Sequence, residues 1–314
     1  MMITLLVKRL LSAIPLLLFL SFFVYLLVDL MPGDAAANLA GDNASASDIA
    51  ALREQLGLDR PLVVRYIEWL GNIFTGDFGT SLYSSQSVAQ ILTERMPITL
   101  SLALVTMVIV VLVGLPLGII AAMRANSLLD RALTAFSSIA MAVPPFIIGL
   151  VLVIVLAISS PIFPATGYSP LGDGFVPWFQ HLILPAIAIA AISIAEVARQ
   201  TRAAMVDTLG KDFIRTTRAK GLRSKQIVGK HALKVAGAPI ATVLGLQVSR
   251  VLAGAVTVEF VFALPGLGTL AVNSVFSRDI PVILGIVMVM AVAIVIINLI
   301  VDMAYGYFNP RVRA

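Results

Sequence analysis

The sequence predicts an all-α integral membrane protein. It has six transmembrane helices, an external helical insertion after the first, and a basic cytoplasmic loop between the fourth and fifth. Three observations carry this. Of the 314 residues, 59% are hydrophobic and only 12% charged, and the mean hydropathy is +1.00, too apolar for the polar surface of a soluble domain. Six windows (about 10–30, 98–123, 132–159, 182–205, 238–258 and 282–304) reach the roughly 20 apolar residues that a bilayer core of about 30 Å requires. The basic residues, finally, are unevenly distributed. With both termini inside, the inner segments hold Lys8, Arg9, Arg124, Arg131, ten residues from Arg199 to Lys234, Arg311 and Arg313, which is 16 of 22. The outer segment 31–97 carries eight acidic against four basic residues. The positive-inside bias therefore sets both termini in the cytoplasm.

Taken in order, the first window follows Lys8 and Arg9 and precedes Ala35–Ala37, an arrangement shared with signal peptides. Its apolar run of about 19 residues exceeds a signal h-region of 7–15, so 1–30 reads as a retained first span. Residues 31–97 form the external segment. There "SASDIAALREQLGLDRP" starts with a cap-like Ser47 and Asp48, then places Ile49, Leu52 and Leu56 on one helical face. Gly57 closes that helix and Pro61 opens a second, whose Tyr66, Trp69 and Phe74 suit a membrane interface. An amphipathic cap on the membrane and a ligand-binding role both remain open. The core, 98–304, carries Pro116 between Gly114 and Gly118, and the pair Pro144–Pro145, as interruptions of its spans. Close packing and kinking account for them. Residues 305–314 form a cytoplasmic tail.

The cytoplasmic loop is 206–237. Within it, 206–234 holds eight Lys or Arg against Asp207 and Asp212, a net of +6. Nucleic acid is excluded as a partner, because the segment is short, lacks stacking aromatics and lies between spans. Membrane lipid is a partner that ordinary positive-inside bias supplies. The patterning points beyond lipid to docking of a cytoplasmic partner. Phe213, Ile214 and Thr217 share a face of one short helix, Gly221 interrupts it, and Ser224 restarts a second with Ile227, Val228 and Ala232 close together.

Several chemistries are missing from the chain. It has no cysteine and two histidines, His181 and His231, which leaves no disulfide, thiolate site or self-contained histidine metal site. No G-x-x-x-x-G-K-[ST] loop exists; "GLGT" at 266–269 lacks both the spacing and the lysine. There is no Gly-x-Ser-x-Gly elbow, no His-Glu-x-x-His and no acidic dyad in the spans, so no catalytic, cofactor or metal residue is assigned. The Asn43–Ala44–Ser45 sequon matters only in a glycosylating compartment. An ion-coupled secondary transporter is the alternative from another class, and it would place ionisable groups near the membrane midplane. Asp29 and Asp302 lie near span ends, and Glu196 is placed toward the water-exposed cytoplasmic end of the fourth span.

"DFIRTTRAKGL" and "IVGKHALKVAGAPI", within 212–240, resemble the cytoplasmic EAA-type loop of bacterial ABC importer permeases. Ala219, Gly221 and Pro239 stand at matching positions. The Glu-Ala-Ala opening of the wider motif is replaced by "RTTRAKG", as in the peptide-importer branch. "MPGDAAANLAG" (31–41), "REQLGLDRPLVVRYIEWLGNIFTGDFGTSL" (53–82), "VPPFIIG" (143–149) and "GAVTVEFVFALPGLG" (254–268) resemble the same branch, so the likeness covers nearly the whole chain. It implies a permease subunit of a dipeptide, oligopeptide, nickel or glutathione importer in the bacterial inner membrane. The implied partners are a second homologous permease, two ATPase subunits or domains that bind ATP and magnesium, and an extracytoplasmic substrate-binding protein. The loop is then a coupling helix seated on the ATPase, and the docking residues are Asp212, Phe213, Arg215, Arg218, Ala219, Lys220, Gly221 and Leu222.

Two further residues stand out in the fifth span. Arg250 lies about 12 residues into it, roughly 18 Å along the helix. At that depth it is either a structural pair with a neighbouring helix or the second permease, or a pathway residue attractive to a peptide carboxylate. Glu259, at the outer boundary beside the Pro265–Gly268 turn, reads as structural.

Overall fold

The computed structural model describes residues 2–30, 35–41 and 44–308. Met31–Asp34, Asn43 of the sequon, Arg311 and Arg313, and the side chains of Lys8, Arg9 and Asp302, lie outside the described residues. The elements are α1 (Met2–Asp29), α2 (Ala35–Ala40), α3 (Ala46–Gln55), α4 (Leu62–Phe74), α5 (Val88–Ile109), α6 (Leu115–Met123), α7 (Leu128–Ala142), α8 (Pro145–Val153), α9 (Phe175–Leu209), α10 (Asp212–Ala219), α11 (Ser224–Gln226), α12 (Leu233–Val261), α13 (Leu267–Ser277) and α14 (Ile280–Phe308). Five helical runs are long and apolar enough to cross a bilayer, and a sixth span forms if α7 and α8 count as one bent element.

That bend, 96°, falls on the proline pair. Val143 precedes a proline, which disfavours helical backbone, and it sits extended at φ −97°, ψ 122°. Pro144 is extended too, and Pro145 then opens α8 at its first position, where a missing N–H costs nothing. A widened π-type stretch, Val110–Gly114, joins α5 to α6 just ahead of Pro116. It relieves the clash between the proline ring and the preceding turn, so the two helices continue as one run, Val88–Met123.

The chain packs as two compact units. The larger runs from Thr99 to Pro265 and takes in the chain from Ile296; the smaller comprises Ile3–Ile98 and Gly266–Val295. In the larger unit α9 is the central helix, with Ala186, Ala188, Ala190, Ala195 and Ala198 buried along it. Small side chains let neighbouring backbones approach. At Gly118 of α6 a Cβ would lie 2.6 Å from the Ala198 carbonyl oxygen, closer than any side chain permits.

In the smaller unit the external segment packs together with α1. Tyr66 of α4 is buried, and its hydroxyl lies 2.9 Å from Ser21 Oγ. Its ring meets Phe22 and Tyr25 edge-on and tilts against Trp69. Arg65 pairs with Asp29 at 2.6 Å. Tyr66 and Trp69 thus pack within this unit, while Phe74 is exposed. The cap of α3 also differs from the sequence expectation. It is Ser45, not Ser47, because a reciprocal capping box needs its hydroxyl three residues ahead of Asp48. Gly57 follows at φ +63° and closes that helix. Asp279, buried, accepts from Ser81 Oγ at 2.5 Å and from the Leu82 N–H at 3.2 Å, fixing the turn ahead of α5.

Candidate functional site

The basic loop starts where α9 ends. Gly210 and an extended Lys211 reverse the chain into the two turns of α10. Ile214 is fully buried there, packed with Met205 of α9, Ala122 of α6, and Ile227, Ala232, Ala236 and Ile240 from the next helical run. Burying one isoleucine contributes about 1.5–3 kcal/mol, enough to hold a two-turn helix in place that would not persist alone in water. Asp212, Phe213, Arg215, Arg218, Ala219, Lys220 and Gly221 are exposed, and Leu222 is half-buried against the same cluster. Pairs such as Asp212–Arg215, 3.3 Å apart and well exposed, add little. The result is a rigid, basic, solvent-facing element fixed by its apolar underside.

Two details differ from the sequence expectation. Phe213 and Ile214 do not share a face: successive residues point about 100° apart on a helix, so Ile214 enters the core while Phe213 is 39% exposed. Ser224 does restart a helix, as expected, but that helix is not a short one. Ser224–Val261 is one continuous run of 38 residues, in which α11 passes through a π-type stretch at Ile227–Ala232 into α12. Gly229 does not break it, because the buried face of Ile227, Ala232, Ala236 and Ile240 outweighs the roughly 1 kcal/mol that a glycine costs in a helix. The loop is therefore rooted directly in the fifth span.

Sequence reasoning missed a second tie beside this loop. Asp130, buried in the first turn of α7, receives Arg202 of α9 in fork geometry, Nε to Oδ1 at 2.5 Å and Nη2 to Oδ2 at 2.6 Å. The Asn126 N–H also donates to Oδ2, at 2.9 Å, and Ser127 caps the helix. The legible signal was Ser127–x–x–Asp130, a helix-start pattern.

Within the spans, Arg250 of α12 donates through Nη1 to Glu196 of α9, and buried Gln247 donates from Nε2 to the same oxygen, Oε2, at 3.1 Å. Glu196 was expected at a water-exposed helix end. Its side chain is only 14% exposed and is held between two helices. Glu259 is fully buried and accepts from Thr99 Oγ1 at 2.6 Å, while its own carbonyl receives the Leu264 N–H at 2.9 Å. It anchors the C-terminal end of α12 to α5 and to the turn that follows.

Comparison with known proteins matches both ends of the chain to transport families. Residues 114–314 match the model described as "Binding-protein-dependent transport system inner membrane component". Residues 2–103 match "Binding-prot-dependent transport system membrane comp, N-term". The "Probable peptide ABC transporter permease protein y4tP" of Sinorhizobium fredii is 40% identical over 306 residues, 98% of each chain. The "Oligopeptide transport system permease protein AppB" of Bacillus subtilis is 37% identical over 310 residues, again 98% of each. The "Glutathione transport system permease protein GsiC" of Salmonella typhi is 38% identical over 312 residues, 99% of each. Among solved structures, an inward-facing form of the MetNI methionine ABC transporter aligns with TM-score 0.59 at 18% identity, covering 70% of this chain and 97% of that one, a likeness of fold. The chain belongs to the binding-protein-dependent transport system inner membrane components and is a permease subunit of an ABC importer.

Proposed function

We propose that this permease forms, with a second homologous permease, the path by which small peptides enter the cell. Full-length relatives named for peptides, oligopeptides and glutathione support that substrate class, since glutathione is itself a tripeptide. Nickel remains an alternative cargo of the same architecture, with no feature of this chain in its favour. An extracytoplasmic binding protein delivers the solute. ATP and magnesium are bound by two ATPase subunits or domains, because this sequence has no phosphate-binding loop. Both termini lie in the cytoplasm of a bacterial cell.

The observation that carries the coupling role is α10: exposed and basic on its outer face, anchored by Ile214 to the ends of α9 and α12. A rigid element so rooted transmits displacement of a docked subunit to the spans, which a flexible loop would absorb. Asp212, Phe213, Arg215, Arg218, Ala219, Lys220, Gly221 and Leu222 are the proposed contact residues. The test is substitution on the exposed face. Phe213→Ala and Arg218→Glu should leave membrane abundance unchanged and lower co-purification of the ATPase by about tenfold, the loss expected for an interface anchor. Undiminished co-purification in both variants would show the loop to be a lipid-facing basic patch.

A further inference from the structure

We propose that Glu196 and Arg250 form a displaceable ion pair on the solute path, opened by a zwitterionic solute whose carboxylate takes Arg250 and whose ammonium takes Glu196. The inference rests on the peptide reading above and adds to it the residues that meet the solute's two charged ends.

The first observation is the face on which Arg250 lies. The exposed residues along this part of α12 are Thr242, Leu246, Arg250, Ala253, Thr257 and Phe260, a single stripe at three- and four-residue spacing. Other exposed helix surfaces of the same unit read differently: Leu104, Val108 and Leu112 on the α5 run, and Leu150, Ile154 and Ile158 along α8 and its extension, form wholly apolar stripes of the kind that suits lipid. Leucine, phenylalanine, alanine and threonine can meet hydrocarbon, but the arginine at the centre of this stripe does not suit it. The Arg250 side chain is 56% exposed at that depth, where a charge belongs beside a water-filled cavity or another polar surface.

The second observation is how the pair is held. Among the described residues Arg250 has one hydrogen-bonding partner, and the bond uses one of the five N–H groups of its guanidinium. The others are available for the two parallel bonds by which a guanidinium grips a carboxylate. Glu196 is held twice, by Arg250 and by Gln247, and Gln247 is fully buried. When Arg250 turns to a solute carboxylate, Gln247 keeps Glu196 in position to receive the solute ammonium. Each charge thus retains a partner through the exchange, so that neither the half-exposed arginine nor the largely buried carboxylate is left alone at membrane depth. In the absence of solute the two residues neutralise each other.

The test must separate a solute contact from a structural brace. Single neutralisations strand a charge in either case, so the informative variant is the double one, Glu196→Gln with Arg250→Gln, which restores an uncharged hydrogen-bonding pair. The complex, with its second permease, ATPase and binding protein, is reconstituted in vesicles and uptake of radiolabelled trialanine is measured. The double variant should assemble at wild-type yield and take up trialanine at least about tenfold more slowly, the loss expected when a charge-assisted clamp becomes neutral. Uptake within about twofold of wild type would overturn the proposal, since coupled residues that only brace each other are rescued together. Failure of the double variant to assemble would overturn it as well, assigning the charges to assembly. If the wild-type complex hydrolyses ATP in response to its binding protein yet takes up no trialanine, the peptide reading fails and this assignment fails with it.

Discussion

At φ +79° Gly221 holds a backbone conformation that residues with a side chain rarely adopt, and a Cβ built there meets nothing within 4 Å. A substitution is therefore strained without being blocked. Gly221→Val should cost on the order of 1–3 kcal/mol, confined to the loop, and alanine less. The expected protein is membrane-inserted at normal abundance and docks its ATPase weakly, read by co-purification and uptake in the same preparation. Wild-type values for both would remove the requirement for this turn. Thr99 tests a buried site instead. Thr99→Val deletes a donor to the buried Glu259 carboxylate, which should destabilise the larger unit by about 1–3 kcal/mol. A lowered melting temperature of the detergent-solubilised permease would register it, and no shift would show the bond to be dispensable. At the start of α3, Ser45 holds the Asp48 carboxyl below its ordinary range through the hydroxyl and then the N–H. A depressed folded-state pKa contributes stability that is present above the unfolded value and lost as pH falls through the folded one. Acidification through the carboxylate range should thus lower the amide protection factors in the first turn of α3, and Ser45→Ala should weaken that pH dependence, leaving the part carried by the backbone N–H.

Helices here are placed by where backbones can touch. Gly118 is the clearest case, because an added Cβ would also lie 2.6 Å from Thr201 Cβ, and neither neighbour is the movable tip of a long side chain. Gly118→Leu should force α6 from α9 and cost several kcal/mol, of the order seen for overpacked cores, about 1–3 or more. The expected outcome is poor yield of folded permease in the membrane, and normal yield would mean that the two helices pack less closely than described. The tie between Asp130 and Arg202 acts on the same stretch of α9 from the next helix: the fork holds the start of α7 to α9 just ahead of α10. The 96° turn at Val143–Pro144 belongs to this scale also, and it falls where two prolines stand in sequence.

For the permease as a whole, charge asymmetry and the absence of native cysteine make topology directly testable. A single cysteine at position 45 should react with a membrane-impermeant maleimide applied from the extracytoplasmic side, and one at position 220 only from the cytoplasmic side. The reverse pattern would invert the assignment of α10 to the ATPase. Purified chain alone should hydrolyse no ATP above background, and sustained turnover by it would return the question of an enzyme.

Composition and the positions of Lys and Arg were sufficient to determine an all-α, multi-span membrane protein, because lipid allows few ways to satisfy a backbone and charges are costly to translocate. Local rules fixed the positive-φ turn at Gly221, the break at Pro144–Pro145 and the exposed basic character of α10, since each depends on residues within a few positions. Three matters depended on tertiary packing. Phe213 and Ile214 are both apolar, and only the surrounding cluster of Met205, Ile227 and Ala236 decides which is buried. Ser224, the first helical residue after Arg223, reads locally as the start of a short helix, and only the buried face beyond it makes that turn the root of a span. Glu196 and Arg250, 54 residues apart, read singly as a helix-end carboxylate and a membrane cation expected to be a structural pair or a pathway residue, with no partner named. Their pairing across α9 and α12 exists only once the two helices lie together, because an ion pair between helices is a property of register and rotation that no single helix encodes.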